Sequence, residues 1–103
     1  MTDLIATVKH YNKLTVVVPH ELTPIVPDLQ RFFDAMVYKL RRNAHKGRWE
    51  DLNLDDALQC LREEVDELQE AVDAGSSMEI TMESCDVANF ALIVANIALE
   101  SKK

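Results

Sequence analysis

A chain of 103 residues with only two glycines and three prolines is a single domain, and its abundance of Ala, Leu, Glu and Asp favours helix throughout. A net charge of −7 argues against a general binder of nucleic-acid polymers or anionic membranes. Two cysteines make neither a disulfide framework nor a metal knuckle, so buried, reduced thiols are expected.

The charge is uneven. Lys39, Arg41, Arg42, Lys46 and Arg48 form a basic block, whereas the stretch from Asp55 to Asp73 is strongly acidic. Such neighbours suit either two solvated faces or a small polyanion held together with its metal ion.

Residues 1–26 read as an N-terminal arm. Leu14 to Val18 is rich in β-branched residues and suits a short extended piece, while Pro19, Pro24 and Pro27 exclude a long helix. His10 and His20 read as surface or packing residues rather than ligands. The N-terminus lacks a charged-then-apolar signal pattern, and a soluble cytoplasmic protein is the default expectation.

The helical domain is expected over 27–103. Its first helix starts near Pro27, with Asp28 suited to the positive end of the dipole. Leu29, Phe32, Phe33, Met36, Val37 and Leu40 follow the helical period. Lys39, Arg41 and Arg42 in its last turns suit the negative helix end as well as any ligand. A loop, Asn43-Ala-His-Lys-Gly-Arg-Trp-Glu-Asp, follows. Within it Gly47 can supply a positive φ, and Trp49 either stacks on a base or caps the bundle.

Asn53 is a good N-cap for the second helix, with Asp55 and Asp56 in its first turn. Leu54, Leu58, Leu61, Val65, Leu68 and Val72 mark an apolar seam, with Glu64 and Glu67 on its flank and Glu63 one position round. Gly75 ends this helix, and Ser76 with Glu79 reads as a capping box for the third. The third helix is apolar nearly all round from Val87 to Leu99, a run too short by itself to span a bilayer. Glu83, Asp86, Asn89 and Asn96 form its polar stripe, and it should be a central or interface helix.

The two acidic pairs are placed symmetrically about Gly75. Glu64 and Glu67 precede it by 11 and 8 residues; Glu83 and Asp86 follow it by 8 and 11. At a rise of about 1.5 Å per residue, antiparallel helices joined by a short turn bring both pairs to one height. Two like charges at ~4 Å repel by roughly 4 kcal/mol at an effective dielectric near 20, so protons or divalent cations must be present. Oxygen-only ligands favour Mg²⁺ or Mn²⁺ over zinc. There is no Gly-rich phosphate loop, no Glu-x-x-His and no recognisable nucleophile signature.

Glu63-Glu64-x-x-Glu67 followed by Glu83-x-x-Asp86 resembles the paired EExxE and ExxD motifs of MazG-like nucleotide pyrophosphohydrolases, in the all-α nucleoside triphosphate pyrophosphatase superfamily. Asn43-Ala-His-Lys-Gly-Arg-Trp and Asp86-Val-Ala-Asn-Phe-Ala extend the likeness to small phage- and mobile-element-type members, over roughly residues 29–99. The resemblance implies an all-α antiparallel bundle completed by dimerisation or tetramerisation. It also implies Mg²⁺-dependent hydrolysis of nucleoside triphosphates to monophosphate and pyrophosphate; the acidic net charge separately sets the expectation of no membrane or nucleic-acid polymer as partner. Carried over by residue, Glu64, Glu67, Glu83 and Asp86 would hold the metal. Glu63 would orient water beside Glu64 and Glu67, and Lys46, Arg48, Trp49 and Asn89 would hold nucleotide. The competing reading is a non-catalytic helical module that senses nucleotide or binds another protein.

Overall fold

A computed structural model describes residues 12–44 and 51–100, and among these there are helices but no strands. Residues 12–19 have no regular structure, and Leu14 and Val17 are exposed. A 3-10 helix, His20–Ile25, accommodates Pro24 and leads into α1, Val26–Asn43. The other two helices are α2, Leu54–Ala74, and α3, Ser77–Glu100.

The helix boundaries follow from local chemistry. Pro27 lies in the first turn of α1, where a missing N–H costs nothing. Asn53 caps α2 by accepting the Asp56 N–H on its side-chain oxygen at 2.8 Å. Gly75 closes α2 in the left-handed region, at φ 81°, and its N–H reaches the carbonyls of Ala71 and Val72. Directly afterwards the Glu79 N–H donates to Ser76 Oγ at 3.3 Å and starts α3. The turn is therefore tight, and α2 and α3 pack antiparallel along much of their length.

α3 is the central helix. Both α1 and α2 pack on it and scarcely touch one another. Ile25, Asp28, Leu29 and Phe32 share a cavity of about 560 Å³ with Ile80, Thr81 and Ser84, and farther along both helices Asn89 Nδ2 donates to the Met36 carbonyl at 3.1 Å. From Leu29 beside Ile80 and Ser84 to Met36 at Asn89 these contacts advance in the same direction, so α1 runs parallel to α3 and antiparallel to α2. The long Lys39 side chain reaches back along α3 to Asp86.

The inner line of α2 differs from the expected seam. Leu54, Val65 and Val72 are 43–50 % exposed, and the buried side chains of α2 are Ala57 and Ala71. The line facing α3 runs Ala57, Leu61, Glu64, Leu68, Ala71, at steps of four and three. Small alanines at its two ends allow the helices to approach closely, and larger residues turn outwards. The shift matters because Glu64 then stands on the seam rather than beside it.

Among the described residues, the buried apolar side chains are Ala57, Ala71, Cys85 and Ile93. Phe33, Val37, Tyr38, Val65, Val72, Leu92 and Leu99 remain exposed. By length and composition α3 as a whole could cross a membrane, unlike its Val87–Leu99 run taken alone. It nonetheless carries Glu83, Asp86 and the buried Asn89 on the side packed by its neighbours.

The turn yields a local test. No atom lies within 4 Å of a Cβ added at Gly75, so Gly75→Ala imposes backbone strain alone. Its expected cost is about 1 kcal/mol, read by thermal or urea unfolding. An unchanged midpoint would show that the turn relaxes.

Candidate functional site

The polar centre of the bundle lies where α2 and α3 face each other at the height anticipated from the mirrored spacing. Glu64, Glu83 and Asp86 each offer a carboxylate oxygen, and these oxygens all lie within 4.8 Å of one another. Each of the three residues is half-buried. Glu64 comes from the inner line of α2, and Glu83 and Asp86 stand one turn apart on α3. Glu67 is exposed and stands outside this set, yet acts on both neighbouring glutamates.

The electrostatic cost falls on the proton affinities of the glutamates. Glu64 is pushed up from about 4.5 to about 7, first by burial, then by a carboxyl–carboxyl hydrogen bond with Glu67 and by the charges of Glu67, Asp86 and Glu83. Such a bond needs a proton. With the acids ionised, Glu64 Oε2 is buried without a hydrogen-bond partner, and so is Glu83 Oε2. Glu83 is likewise raised by burial and by Asp86 and Glu67, with Lys39 opposing. Buried, unpartnered carboxylate oxygens at this separation fit a hard divalent cation, since they supply oxygen donors and uncompensated negative charge together.

Lys39 is the residue that sequence reasoning left at a helix end. Its Nζ lies 3.2 Å from Asp86 Oδ2, and the two side chains are 17 % and 14 % exposed. The signal was present: Lys39 falls three residues after Met36 on the inner line Leu29, Phe32, Met36, so it points towards α3 rather than beyond the helix end. Asn89 is 5 % exposed; its Nδ2 is committed to the Met36 carbonyl and its Oδ1 has no partner. It therefore joins α1 to α3 one turn from Asp86.

Glu63 is exposed on α2, and its charge reinforces the effect of burial in pushing up the Cys60 thiol. Cys60 is half-buried and Cys85 fully buried, both reduced. Lys46, Arg48 and Trp49, expected to hold nucleotide, and Gly47 lie outside the described residues. Asn96 on α3 is half-buried.

The raised Glu64 gives a pH dependence with a definite sign. A carboxyl whose folded pKa exceeds its unfolded value contributes stability below the unfolded pKa and loses it as pH rises through the folded one. With chelator present, stability should therefore fall between pH 5 and pH 8, and Glu64→Gln should flatten that fall. Melting curves across that range test it; parallel curves for the two proteins would contradict it.

Comparison with curated proteins and with solved structures finds no match for the chain. A family model does match, that of phosphoribosyl-ATP pyrophosphohydrolase, over residues 26–98. The match begins at the first residue of α1, ends two residues short of the end of α3, and so spans every helix that contributes to the carboxylate cluster. Members of this family use a divalent metal, which agrees with the acidic cluster. The chain therefore belongs to the phosphoribosyl-ATP pyrophosphohydrolase family, within the all-α MazG-like superfamily of enzymes that hydrolyse phosphoric anhydrides.

Proposed function

We propose that the protein is a Mg²⁺-dependent nucleoside triphosphate pyrophosphohydrolase, converting ribo- or deoxyribonucleoside triphosphate and water to monophosphate and pyrophosphate. The observation that carries this reading is the convergence of Glu64, Glu83 and Asp86 in a chain of this family. Bound Mg²⁺ (or Mn²⁺) supplies charge neutralisation on the phosphates and acidifies a bound water.

The residues divide the remaining work. Glu64, Glu83 and Asp86, joined by the more exposed Glu67, hold the cation. Glu63 and the glutamates beside it orient the attacking water, whose oxygen joins the α-phosphorus as the bond to the bridging oxygen breaks. Pyrophosphate departs with that oxygen. Lys46 and Arg48 offset phosphate charge and Trp49 stacks on the base. Asn89 contributes by holding α1 in register.

Phosphoribosyl-ATP carries the same triphosphate and is the second reading of the substrate, favoured by the family match. A non-catalytic nucleotide sensor is the alternative from another class.

Incubation with each nucleoside triphosphate and with phosphoribosyl-ATP, in Mg²⁺ and ¹⁸O-water, should give pyrophosphate and a monophosphate carrying the label. Asp86→Asn and Glu64→Gln should each lower turnover by on the order of 100-fold or more, and Glu70→Gln, on the exposed face, should leave it unchanged. Diphosphate and orthophosphate would indicate a different hydrolase. Bound metal without turnover of any triphosphate would favour the sensor.

We also propose that the exposed apolar stripes of α1, α2 and α3 are covered in a homodimer or homotetramer, because so few of the described side chains are buried within one chain. Light scattering at micromolar concentration should show at least a dimer; a stable monomer would refute this.

A further inference from the structure

The described residues pair one cation with the carboxylate cluster, and it comes from α1, the helix that contributes no carboxylate. Lys39 and Asp86 are both largely covered, so the pair is more than a chance surface contact. Its geometry is fixed from two sides. Asp86 stands one turn from Glu83 and within 4.8 Å of the oxygens of Glu83 and Glu64. Met36, one turn before Lys39, is tied through its carbonyl to the buried Asn89, which sets the register of α1 on α3.

Asp86 is thereby claimed twice. Its carboxylate belongs to the set suited to a divalent cation, and Oδ2 already holds an ammonium at 3.2 Å. A cation seated among Glu64, Glu83 and Asp86 would lie close to Lys39 Nζ, and like charges at that range repel strongly in a partly dehydrated site. The lysine side chain is long and flexible, so it can leave Asp86 without moving α1. α1 and α2 barely touch, so no packed interface between them confines the ammonium. Once released from Asp86 it stays within reach of whatever polyanion the cation holds, since both start from the same carboxylates.

We propose that Lys39 is the resident counter-ion of the cluster and a positioning residue for substrate: it holds Asp86 until a divalent cation binds, then transfers its ammonium to the phosphates of the nucleotide. This rests on the cation-dependent reading above and adds a residue that neither acidic motif contains. A merely structural ion pair would make a different prediction, because its loss would loosen α1 and weaken every ligand together.

The test uses Lys39→Gln, which keeps a hydrogen-bond donor for Asp86 but removes the charge, and Lys39→Arg, which keeps the charge. Mn²⁺ binding is titrated by electron paramagnetic resonance, with and without a non-hydrolysable α,β-methylene nucleoside triphosphate. Lys39→Gln should bind Mn²⁺ alone about tenfold more tightly. With Mn²⁺ present it should bind the analogue about ten- to hundredfold more weakly. Lys39→Arg should remain near wild type in both. Opposite signs are the signature of the exchange; loss of both affinities, or no change in either, overturns it.

A second measurement needs no variant and so is independent of any folding defect. Acetylation of Lys39 in the wild-type protein, followed by mass spectrometry, should rise when Mn²⁺ is added alone and fall again with the analogue. Labelling that Mn²⁺ does not alter would overturn the proposal. Failure of the wild type to bind Mn²⁺ at all would overturn the cation-dependent reading with it, whereas Mn²⁺ binding that ignores Lys39 would overturn this inference alone.

Discussion

The contact between α2 and α3 is the constraint on which the remainder of the structure depends. Two alanines, Ala57 and Ala71, bring the helices close, and the line between them passes through Glu64. A carboxylate on that line meets Glu83 and Asp86 from the facing helix, and water cannot solvate them all. Close packing and mutual repulsion are thus built into one seam. The fold tolerates this because a proton, Lys39 or a divalent cation can occupy the same charge deficit.

The tight turn at Gly75 makes that seam reproducible. A left-handed glycine followed at once by the Ser76 cap leaves little slack between α2 and α3, so residues equidistant from the turn meet at one level. Height was therefore readable from sequence spacing alone, as were the Asn53 cap and the central place of α3. The azimuth was not. Leucines and valines mark the most apolar line of α2, but the line facing α3 is set by small residues that permit approach, and hydropathy ranks alanine below leucine. The expected seam was therefore rotated from the true one, and Glu64 was placed on its flank.

Lys39 was missed for a related reason. In a basic run at a helix end, the dipole accounts for Arg41 and Arg42, and nothing in the run itself separates Lys39 from them. Only its register with Leu29, Phe32 and Met36 turns it inwards, and only the tertiary contact supplies Asp86 as its partner. Residues that act by reaching across elements are the hardest to read from a linear text. The acidic pairs escaped this difficulty because both lie on helices joined by one short turn.

A divalent cation held by Glu64, Glu83 and Asp86 is the centre of the proposed mechanism. Anomalous scattering from crystals grown with Mn²⁺ locates such an ion without reference to activity. A strong peak coordinated by oxygens of those three residues, lost in Asp86→Asn crystals of the same fold, is the predicted result. Crystals showing no manganese at the cluster, or manganese only elsewhere on the surface, would contradict it.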